Sequence, residues 1–302
     1  MKTGVVGLGL IGGSLLRALG GTGHDADPDV RAAAAAEGFD VADALSGLAG
    51  CELVLVSVPP ARTAAVVGEV LEALPGVLVA DTASVKAELP RHERLVGGHP
   101  MAGAETAGWA ASSAILLQGA PWAACPAGEA LEPLLALGAA VDALGGRIVP
   151  CTPEEHDAAV ARTSHVPHLA AQALAGLAAD GGLHAALAGT AFRDMTRVAR
   201  ADAGLWTEIL SANREACLAA VDELVARLGV LRTALGDEAA TRTEWAMGLE
   251  WLTAMDAVAR RDPDWREEPV DGWAGLLEHG RAGRAVRRLA RRDGVLRAEV
   301  AR

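Results

Sequence analysis

The sequence predicts an α/β domain with a mostly parallel sheet, followed by an all-α domain. Short apolar runs alternate with helical segments through the first half, a pattern typical of βαβ units and a parallel sheet. A glycine-rich turn links the first apolar run to the first helical segment. Beyond residue 150, helical periodicity continues toward the C-terminus without a convincing strand pattern.

The strands are predicted from apolar and β-branched runs, namely Thr3–Gly7, Glu52–Val58, Gly76–Asp81, the weaker Leu95–Gly98 and Arg147–Pro150. A helix is predicted to begin at Thr152, because Thr152 and Glu155 match a capping box and Pro153 suits the first helical position. Helical periodicity then covers Ala158–Ala179, Leu205–Leu228, Ala239–Ala259 and Trp273–Arg292. We therefore predict a first domain over residues 1–150 and a second over residues 151–302.

Charge and cysteine usage exclude several classes of protein. The formal net charge of −12, from 27 basic and 39 acidic residues, argues against binding to nucleic acid. Every apolar run is interrupted well short of the roughly 18 residues that a membrane-spanning helix needs. The chain starts directly on a strand pattern, which leaves no room for a signal peptide. The cysteines form no CxxC pair, which indicates free thiols in a reducing cytoplasm rather than a disulfide framework or a zinc site; they are Cys51, Cys125, Cys151 and Cys217.

Arginines cluster near the C-terminus, at Arg281, Arg284, Arg287, Arg288, Arg291, Arg292 and Arg297. We interpret this cluster as a solvated or partner-packing helix face, because runs of like charge are usually solvated. A patch that binds anions or nucleic acid is the alternative.

A GxGxxG sequence, Gly7 to Gly12, directly follows the first predicted strand and opens the first helix. This context is the fingerprint of a dinucleotide-binding Rossmann domain. The first glycine makes a tight turn, the second lets the backbone approach a pyrophosphate, and the third lets the helix pack on the strand. Free N–H groups at the helix N-terminus then favour phosphate. We expect Gly7, Gly9, Leu10, Ile11 and Gly12 to bind the cofactor.

The same fingerprint requires an acid about 20 residues further on, for the ribose hydroxyls. The candidates are Asp25 and Asp27, and we prefer Asp25 as the first acid after the second strand. It lies only 13 residues beyond Gly12, so the first helix and the second strand must be short. An acid here favours NAD, because it would repel the 2′-phosphate of NADP. Ser57 and Pro59, which end the next long apolar run, are expected to line the same cofactor site.

Three segments carry polar residues where a sheet or helix normally avoids them: residues 81–86 (DTASVK), 97–108 (GGHPMAGAETAG) and 163–168 (TSHVPH). The first follows a buried strand, and α/β sheets bind ligands at the carboxyl ends of parallel strands. The second places a histidine and a glutamate in a glycine-rich loop that suits substrate contact. The third lies in a helical pattern that Pro167 interrupts, which frees a backbone carbonyl. Four polar residues fall on one face of this helix: Asp157, Ser164, His165 and His168.

Together with GLGLIGGS and FRDMTRVARADAGLW, these motifs resemble the prephenate/arogenate dehydrogenase family of tyrosine biosynthesis. The resemblance covers residues 4–228, in order and at compatible spacing. The glycine loop is generic, whereas HPMAG followed by SHxPH and TRxA is specific. The resemblance implies a Rossmann domain and a C-terminal helical domain that forms a homodimer. Trp245, Trp251 and Trp273 are available for burial in such an interface.

The resemblance also implies an oxidative decarboxylation: hydride leaves C4 of prephenate for the nicotinamide, CO2 leaves C1, and the ring becomes aromatic. His99 matches the catalytic histidine that accepts a hydrogen bond from the C4 hydroxyl, and a neutral imidazole is able to take that proton. Ser84 matches the serine beside this hydroxyl and the nicotinamide. Arg197 matches the arginine that binds a substrate carboxylate, a task that suits a planar guanidinium.

The resemblance also implies an ionic network at the site entrance, formed by Glu105, Asp194 and Arg197. It implies that Ser164 and His168 contact the substrate side chain with His165 close by, and that Trp206 lies near the pocket wall. Asp157 is expected to orient one of the histidines. No metal site is expected, because two histidines three residues apart without a third ligand rarely bind a metal.

Several alternatives stay open. Arogenate, in which an amino group replaces the side-chain keto oxygen, is the nearest alternative substrate, and 4-amino-4-deoxyprephenate is a further one. NADP is the alternative cofactor. A non-catalytic NAD-sensing regulator would share the fold, but it would not need the polar set around His99. Each site residue also has a purely structural alternative, among them His165 as a core histidine and Trp206 as part of the core.

Overall fold

A computed structural model describes the chain except for residues 105, 180 and 260–262. The strands are β1 Thr3–Val6, β2 Thr22–His24, β3 Asp40–Val41, β4 Leu53–Val56, β5 Leu78–Asp81, β6 Leu95–Pro100, β7 Pro121–Pro126, β8 Arg147–Pro150, β9 Trp265–Pro269, β10 Val286–Arg292 and β11 Val295–Ala301. The α-helices are α1 Leu10–Leu19, α2 Pro28–Ala36, α3 Pro60–Ala73, α4 Glu132–Ala143, α5 Pro153–Val160, α6 Val166–Leu177, α7 Gly182–Leu187, α8 Thr190–Thr196, α9 Ala203–Ala212, α10 Arg214–Ala234, α11 Glu238–Ala259 and α12 Gly272–Arg281.

The chain divides into two compact units. The first comprises Met1–Asp157, Arg200–Ala212 and Trp265–Arg302, and the second comprises Ala158–Ala199 and Asn213–Asp264. The strands of the described residues all belong to the first unit, and the second is helical. The predicted fold class, an α/β domain followed by a helical domain, is confirmed. The predicted domain bounds, residues 1–150 and 151–302, stay a prediction.

The sheet of the first unit has the strand order β3-β2-β1-β4-β5-β6-β7-β8-β10-β11-β9. Pairing is parallel from β3 through β6, and β6 and β7 are antiparallel. From β1 the chain builds outward through β2 and β3 in one direction and through β4 to β6 in the other. This reversal beside β1 is the position at which doubly wound sheets bind their ligands.

The central strands are buried on both faces. Val5 and Leu55 pack into one hydrophobic core, and Val6, Val54 and Val56 pack into a second. Since side chains alternate along a strand, an unbroken apolar run is what a strand covered on both faces requires. All five predicted strands are present, as β1, β4, β5, β6 and β8.

The C-terminal stretch differs from the prediction of a helix over Trp273–Arg292 with no strand beyond residue 150. That prediction is wrong, because α12 ends at Arg281 and the strands β10 and β11 form an antiparallel hairpin. The hairpin pairs with β8, and β9 forms the sheet edge. Asp293 and Gly294 make the turn, with φ values of 52° and 79°. An Asp-Gly turn of this kind matches the twist of the two strands it joins.

The prediction that the C-terminal arginines form one helix face is also wrong, because those from Arg287 to Arg297 lie on the strands β10 and β11. Arg287 and Arg288 lie on β10 and contact Glu299 at 2.6 and 2.7 Å. Arg291 contacts Glu132 at 3.2 Å. These carboxylates offset the positive charge that an anion-binding patch would need.

In the second unit, a π-helical turn over Ala161–His165 joins α5 to α6. The Val166 N–H donates to the Ala161 carbonyl, the wider spacing that defines such a turn. Pro167 follows directly and has no N–H of its own, so regular helical bonding cannot continue here. Turns of this type inside helices are frequent at functional sites.

Candidate active site

The glycine loop follows β1, and its three glycines meet different constraints. Gly7 has a φ of +87°, which side chains rarely adopt. A Cβ on Gly12 would lie 1.8 Å from the Gly7 carbonyl oxygen, so α1 packs against the loop only without one. A Cβ on Gly9 would meet nothing within 4 Å, which leaves the backbone open to a ligand. Leu10 and Ile11 begin α1, where N–H groups lack helical partners.

A cavity of about 410 Å³ lies beside this loop. Its lining includes five residues predicted to contact the cofactor: Gly7, Gly9, Asp25, Ser57 and Pro59. The volume is ordinary for a small-molecule site. Together with the open backbone at Gly9, it fits the adenosine diphosphate half of a dinucleotide.

The two candidate acids have different positions. Asp25 directly follows β2, and the Leu8 N–H donates to its Oδ2 at 2.7 Å. The Asp27 side chain instead caps α2 by accepting the N–H of Asp29 at 2.8 Å. Arg31 donates to the carbonyl oxygen of Asp25 at 2.7 Å, so it holds the loop that carries the acid. Asp25 is therefore the acid that lines the cavity.

Polar side chains also follow β4 and β5. The hydroxyls of Ser57 and Thr82 are 2.8 Å apart and link the two strand ends. Ser84 lies two residues further on and is half-buried. The flanking Asp81 and Lys86 form a fully buried ion pair, with Nζ 2.5 Å from Oδ2. This pair fixes the turn that carries Ser84.

His99 lies near the end of β6 and begins a chain of hydrogen bonds. Its Nδ1 is 2.9 Å from Nε2 of His156, and Nδ1 of His156 is 2.7 Å from Oδ1 of Asp157. The Asp157 carboxylate also accepts the N–H groups of Lys86 and Ala87 at 2.9 and 2.8 Å. His156 and Asp157 are both buried. We call His99, His156 and Asp157 the relay.

The direction of the relay determines where His99 carries its proton. A carboxylate only accepts hydrogen bonds, so Nδ1 of His156 donates to Asp157. In the tautomer of His156 that carries its one proton on Nδ1, Nε2 accepts the hydrogen bond from His99. His99 then donates from Nδ1, which makes Nε2 its basic nitrogen. The relay thus gives a half-buried imidazole that can take a proton at Nε2, as a general base must.

In the second unit, His168 and Arg197 interact electrostatically. His168 donates from Nδ1 to the Ser164 carbonyl at 2.8 Å. Burial lowers the pKa of His168, and the Arg197 charge lowers it further, whereas the Ser164 carbonyl raises it. The neutral ring, with Nε2 as acceptor, is therefore favoured near pH 7. Arg197 itself is exposed, and its guanidinium suits a carboxylate ligand.

His165 is buried in the second unit. Its Nδ1 lies 3.2 Å from Nδ2 of Asn213 and 3.3 Å from Sγ of Cys217. These contacts tie the π-helical turn to α10. Direct contact of His165 with a substrate stays a prediction.

The remaining predicted residues differ in their exposure to solvent. Asp194 is exposed in α8, and Trp206 is half-buried in α9. Glu105 lies outside the described residues. Asp157, which was expected to orient a histidine of the 163–168 segment, hydrogen-bonds to His156; its role toward that segment stays a prediction.

Two family models match most of the chain. Residues 16–149 match the nucleotide-binding domain of prephenate dehydrogenase, and residues 152–248 match its dimerization domain.

The chain belongs to the prephenate dehydrogenase family.

Named relatives agree with this assignment to a family of oxidoreductases. The chain is 33% identical to the cyclohexadienyl dehydrogenase of Zymomonas mobilis over 261 residues, which cover 78% of this chain and 88% of the relative. It is 30% identical to the prephenate dehydrogenase of Bacillus subtilis, over 78% of this chain and 70% of the relative. It is also similar to a solved structure, prephenate dehydrogenase from A. aeolicus in complex with hydroxyphenyl propionate and NAD+. The TM-score is 0.75 and the identity 25%, over 85% of this chain and 98% of that one.

Two other properties of this family member concern metals and membranes. Among the residues that the structure describes, no group of three or more His, Cys, Asp or Glu side chains could hold a metal ion. None of the described helices is both long and apolar enough to cross a membrane.

Sequence reasoning missed His156, although this histidine holds the catalytic candidate His99. The available signal was its place beside Asp157 at the start of a capped helix, where a His-Asp pair is expected to be polar and exposed. Its burial follows from packing against a strand 57 residues earlier in the chain, which local pattern does not reveal.

Proposed function

We propose that this chain oxidises and decarboxylates prephenate with NAD, giving 4-hydroxyphenylpyruvate and CO2. The observation that carries the proposal is the relay, because it provides an imidazole whose basic nitrogen is Nε2. The relay lies on the same unit as the cofactor loop, at the end of a strand parallel to β5. Ligands bind at this edge of such sheets.

The reaction needs one proton to be moved. His99 accepts the proton of the C4 hydroxyl at Nε2 while C4 loses a hydride, and the C4 oxygen becomes a carbonyl. The C1–carboxylate bond then breaks, and its electron pair completes the aromatic ring. His99 returns the proton to the C4 oxygen, so that no net proton is released. When bound, the nicotinamide would accept the hydride.

NAD is the proposed cofactor. Gly7, Gly9 and Gly12, together with the first turn of α1, would hold the pyrophosphate, and Asp25 would accept hydrogen bonds from the ribose. The carboxylate of Asp25 disfavours a 2′-phosphate at the same position. Ser84, which follows β5, would lie beside the nicotinamide and the C4 hydroxyl.

The charge of the substrate supports roles for residues of the second unit. Prephenate carries two carboxylates, and the exposed guanidinium of Arg197 is suited to bind one of them in bidentate fashion. The neutral ring of His168 and the hydroxyl of Ser164 would contact the pyruvyl side chain. Glu105, Asp194 and Trp206 are proposed to complete the substrate surroundings, with His165 supporting them from within.

A homodimer is the proposed assembly. The second unit exposes large apolar side chains on both of its long helices, among them Leu218 and Leu228 on α10 and Trp245 and Leu249 on α11. An exposed apolar surface of this kind commonly marks an interface. The match of residues 152–248 to a dimerization domain supports the same conclusion.

The test is a matrix of steady-state rates with purified prephenate and arogenate, each with NAD and with NADP. The proposal requires the highest kcat/KM for prephenate with NAD. A higher kcat/KM for arogenate than for prephenate would identify arogenate as the substrate. The assays with arogenate are needed because the relative from Zymomonas mobilis has the broader name cyclohexadienyl dehydrogenase.

A second set of measurements separates the enzyme from a sensor. 4-Amino-4-deoxyprephenate is tested as a third substrate, and NAD binding is followed by fluorescence in the absence of substrate. Binding of NAD without turnover of any of the three compounds would overturn the proposal in favour of a non-catalytic regulator.

A further inference from the structure

Two of the four cysteines lie side by side on the neighbouring strands β7 and β8. Cys125 is on β7 and Cys151 directly follows β8, and their sulfur atoms are 3.7 Å apart. Both carry free thiols. We propose that Cys125 and Cys151 form a redox site that hydroperoxides oxidise to a reversible intramolecular disulfide, and that this disulfide slows the relay.

The backbone geometry allows this bond. β7 and β8 are parallel, with Ala124 opposite Pro150, and the Cys151 N–H donates to the Ala124 carbonyl at 3.1 Å. Adjacent strands lie about 4.8 Å apart, within the range of about 4.4–6.8 Å between the Cα atoms of disulfide partners. The sulfurs need to approach from 3.7 Å to about 2.0 Å, which side-chain rotations together with a small shift of the backbone at Cys151 supply.

The two thiols differ in reactivity. The hydrogen bond between the two sulfurs raises the pKa of Cys125 and lowers that of Cys151, and burial raises the pKa of Cys125 further. Lys86 lowers both pKa values, whereas Glu155 and Asp157 raise that of Cys151. Cys151 is also the less buried of the two. Cys151 is therefore the thiol that attacks, and Cys125 is the one that resolves.

The reaction balances with a hydroperoxide as the oxidant. The Cys151 thiolate attacks one peroxide oxygen and the O–O bond breaks, which gives a sulfenic acid and, from hydrogen peroxide, a hydroxide that takes up a proton to become water. The Cys125 sulfur then attacks the Cys151 sulfur, the S–O bond breaks, and the Cys125 proton leaves with the hydroxide as a second water. Two thiols are oxidised and one peroxide is reduced. A dithiol such as dithiothreitol reverses the bond by exchange.

Both cysteines are close to residues that hold the relay. Cys151 directly precedes Thr152, and the Thr152–Glu155 capping box begins the helix that carries His156 and Asp157. Cys125 lies opposite Gly97 on β6, two residues before His99. Closing the sulfur–sulfur gap therefore pulls on the start of α5 relative to β6, which changes the contact between His99 and His156.

The experiment treats the purified full-length protein with hydrogen peroxide and maps its peptides by mass spectrometry without reduction. The expected product is one peptide pair linked through Cys125 and Cys151, which dithiothreitol separates. A Cys125→Ala variant should instead accumulate a sulfenic acid at Cys151 that dimedone traps. Oxidation confined to other residues, or a linked pair that includes Cys51 or Cys217, would overturn the proposal.

Activity is measured on the same samples, and this arm alone rests on the proposed function. Formation of the disulfide should lower kcat by about tenfold to a hundredfold, the scale of a small misplacement of a catalytic group, and dithiothreitol should restore it. Cys125→Ala and Cys151→Ala should keep the basal rate and lose this reversible inhibition. Cys51→Ala is the matched control and should stay sensitive. A disulfide that forms without any change in kcat would overturn the link between the disulfide and the relay. An absence of all dehydrogenase activity would count against the proposed function, and the mass spectra alone would then decide whether the disulfide forms.

Discussion

At the scale of single residues, the site depends on which nitrogen of His99 carries the proton. His99 itself lies half-buried near a strand end, and His156 and Asp157 hold it from inside the first unit. When His156 carries its one proton on Nδ1, toward the Asp157 carboxylate, its Nε2 accepts from Nδ1 of His99, and Nε2 is then the basic nitrogen of His99. A catalytic base whose orientation is fixed in advance loses little entropy in the transition state.

The first prediction concerns His99 as the proton acceptor. His99→Ala should lower kcat for prephenate by about 10²–10⁴-fold, the usual contribution of a general base, because the C4 hydroxyl loses its acceptor. The Kd for NAD, measured by fluorescence titration, should change little. His184→Ala, at an exposed histidine on α7, serves as the control and should retain the wild-type rate. An unchanged kcat in His99→Ala would reject the role.

The second prediction concerns Asp157 as a residue that positions His99. Asp157→Asn places an amide N–H₂ where the carboxylate accepted a hydrogen bond, which favours the wrong tautomer of His156. We expect kcat to fall by between about tenfold and 10⁴-fold, the upper value being the loss for the analogous change in a Ser-His-Asp triad. The KM for NAD should not change, as steady-state assays at varied NAD will test.

The matched control for Asp157→Asn is Glu154→Gln, which removes one negative charge from an exposed position of the same helix. Its kcat should equal that of the wild type. Equal losses in the two variants would mean that net charge, rather than the hydrogen bond to His156, accounts for the effect.

The third prediction concerns cofactor choice. Asp25→Asn removes the charge that faces the cavity, so the ratio of kcat/KM for NAD to that for NADP should fall by about tenfold or more, equivalent to about 1.4 kcal/mol. Asp27→Asn is the control, because Asn also caps helices and Asp27 caps α2. Kinetics with both cofactors decide the point, and an equal fall in the two variants would argue against Asp25 as the ribose acid.

How far these residues could be predicted depends on whether their role is local. Gly7 and Gly12 could be predicted from the sequence, because turn geometry and close packing require glycine within a short stretch of chain. Asp25 was preferred over Asp27 from its place after the second strand, and the structure added the second reason by assigning Asp27 to a helix cap. His156 could not be found, because its partner His99 lies on a distant strand and the pairing is made by tertiary packing.

At the scale of secondary structure elements, α5 links the sheet to the relay. Its first turn is fixed by the Thr152–Glu155 capping box, with the Glu155 N–H donating to Oγ1 of Thr152 at 3.2 Å and the Thr152 N–H donating to Oε2 of Glu155 at 2.9 Å. Arg281 of α12 also contacts Glu155 at 2.5 Å. The start of the helix is therefore held from the C-terminal segment as well as from within.

The fourth prediction follows from this cap. Thr152→Ala leaves the Glu155 N–H without its acceptor and should lower the free energy of unfolding by about 0.5–2 kcal/mol, measured by urea denaturation. The kcat should also fall, because His156 of the relay is the fourth residue of this helix. Thr243→Ala, at an exposed position inside α11, should leave both quantities nearly unchanged. A larger loss of stability in Thr243→Ala than in Thr152→Ala would contradict the capping argument.

The strands β7 and β10 were not predicted, because β7 has low strand propensity and β10 has the periodicity of a helix. β7 (PWAACP) is rich in alanine and bounded by prolines, so it lacks a β-branched run of the kind that marks the predicted strands. In β10, arginines spaced three and four apart imitate a helix face, and a bulge between Arg287 and Ala290 breaks the alternation expected of a strand. Only the Asp293-Gly294 turn gave a local signal of the hairpin.

At the scale of the whole molecule, the two units have different surfaces. The first buries its apolar residues in two cores on the sheet faces, whereas the second leaves large apolar side chains in contact with solvent in the isolated chain. On α11 these side chains recur three or four residues apart, as a helix face requires, at Trp245, Leu249, Leu252 and Met255, which are between 61% and 79% exposed. A single chain with such a face exposed would be poorly soluble, so the face has to be covered.

The fifth prediction is that a second copy of the chain covers it. Light scattering at micromolar concentration should give twice the chain mass of 30.8 kDa. The double variant Trp245→Glu and Leu249→Glu should give the monomer mass, because each buried carboxylate would lack a partner across an interface that, for a stable dimer, typically buries about 2,000 Å² or more. Ile115→Glu, at a residue of the first unit that is 71% exposed, is the control and should stay dimeric. A wild-type monomer would reject the homodimer, and a double variant that keeps the dimer mass would place the dimer interface elsewhere on the molecule.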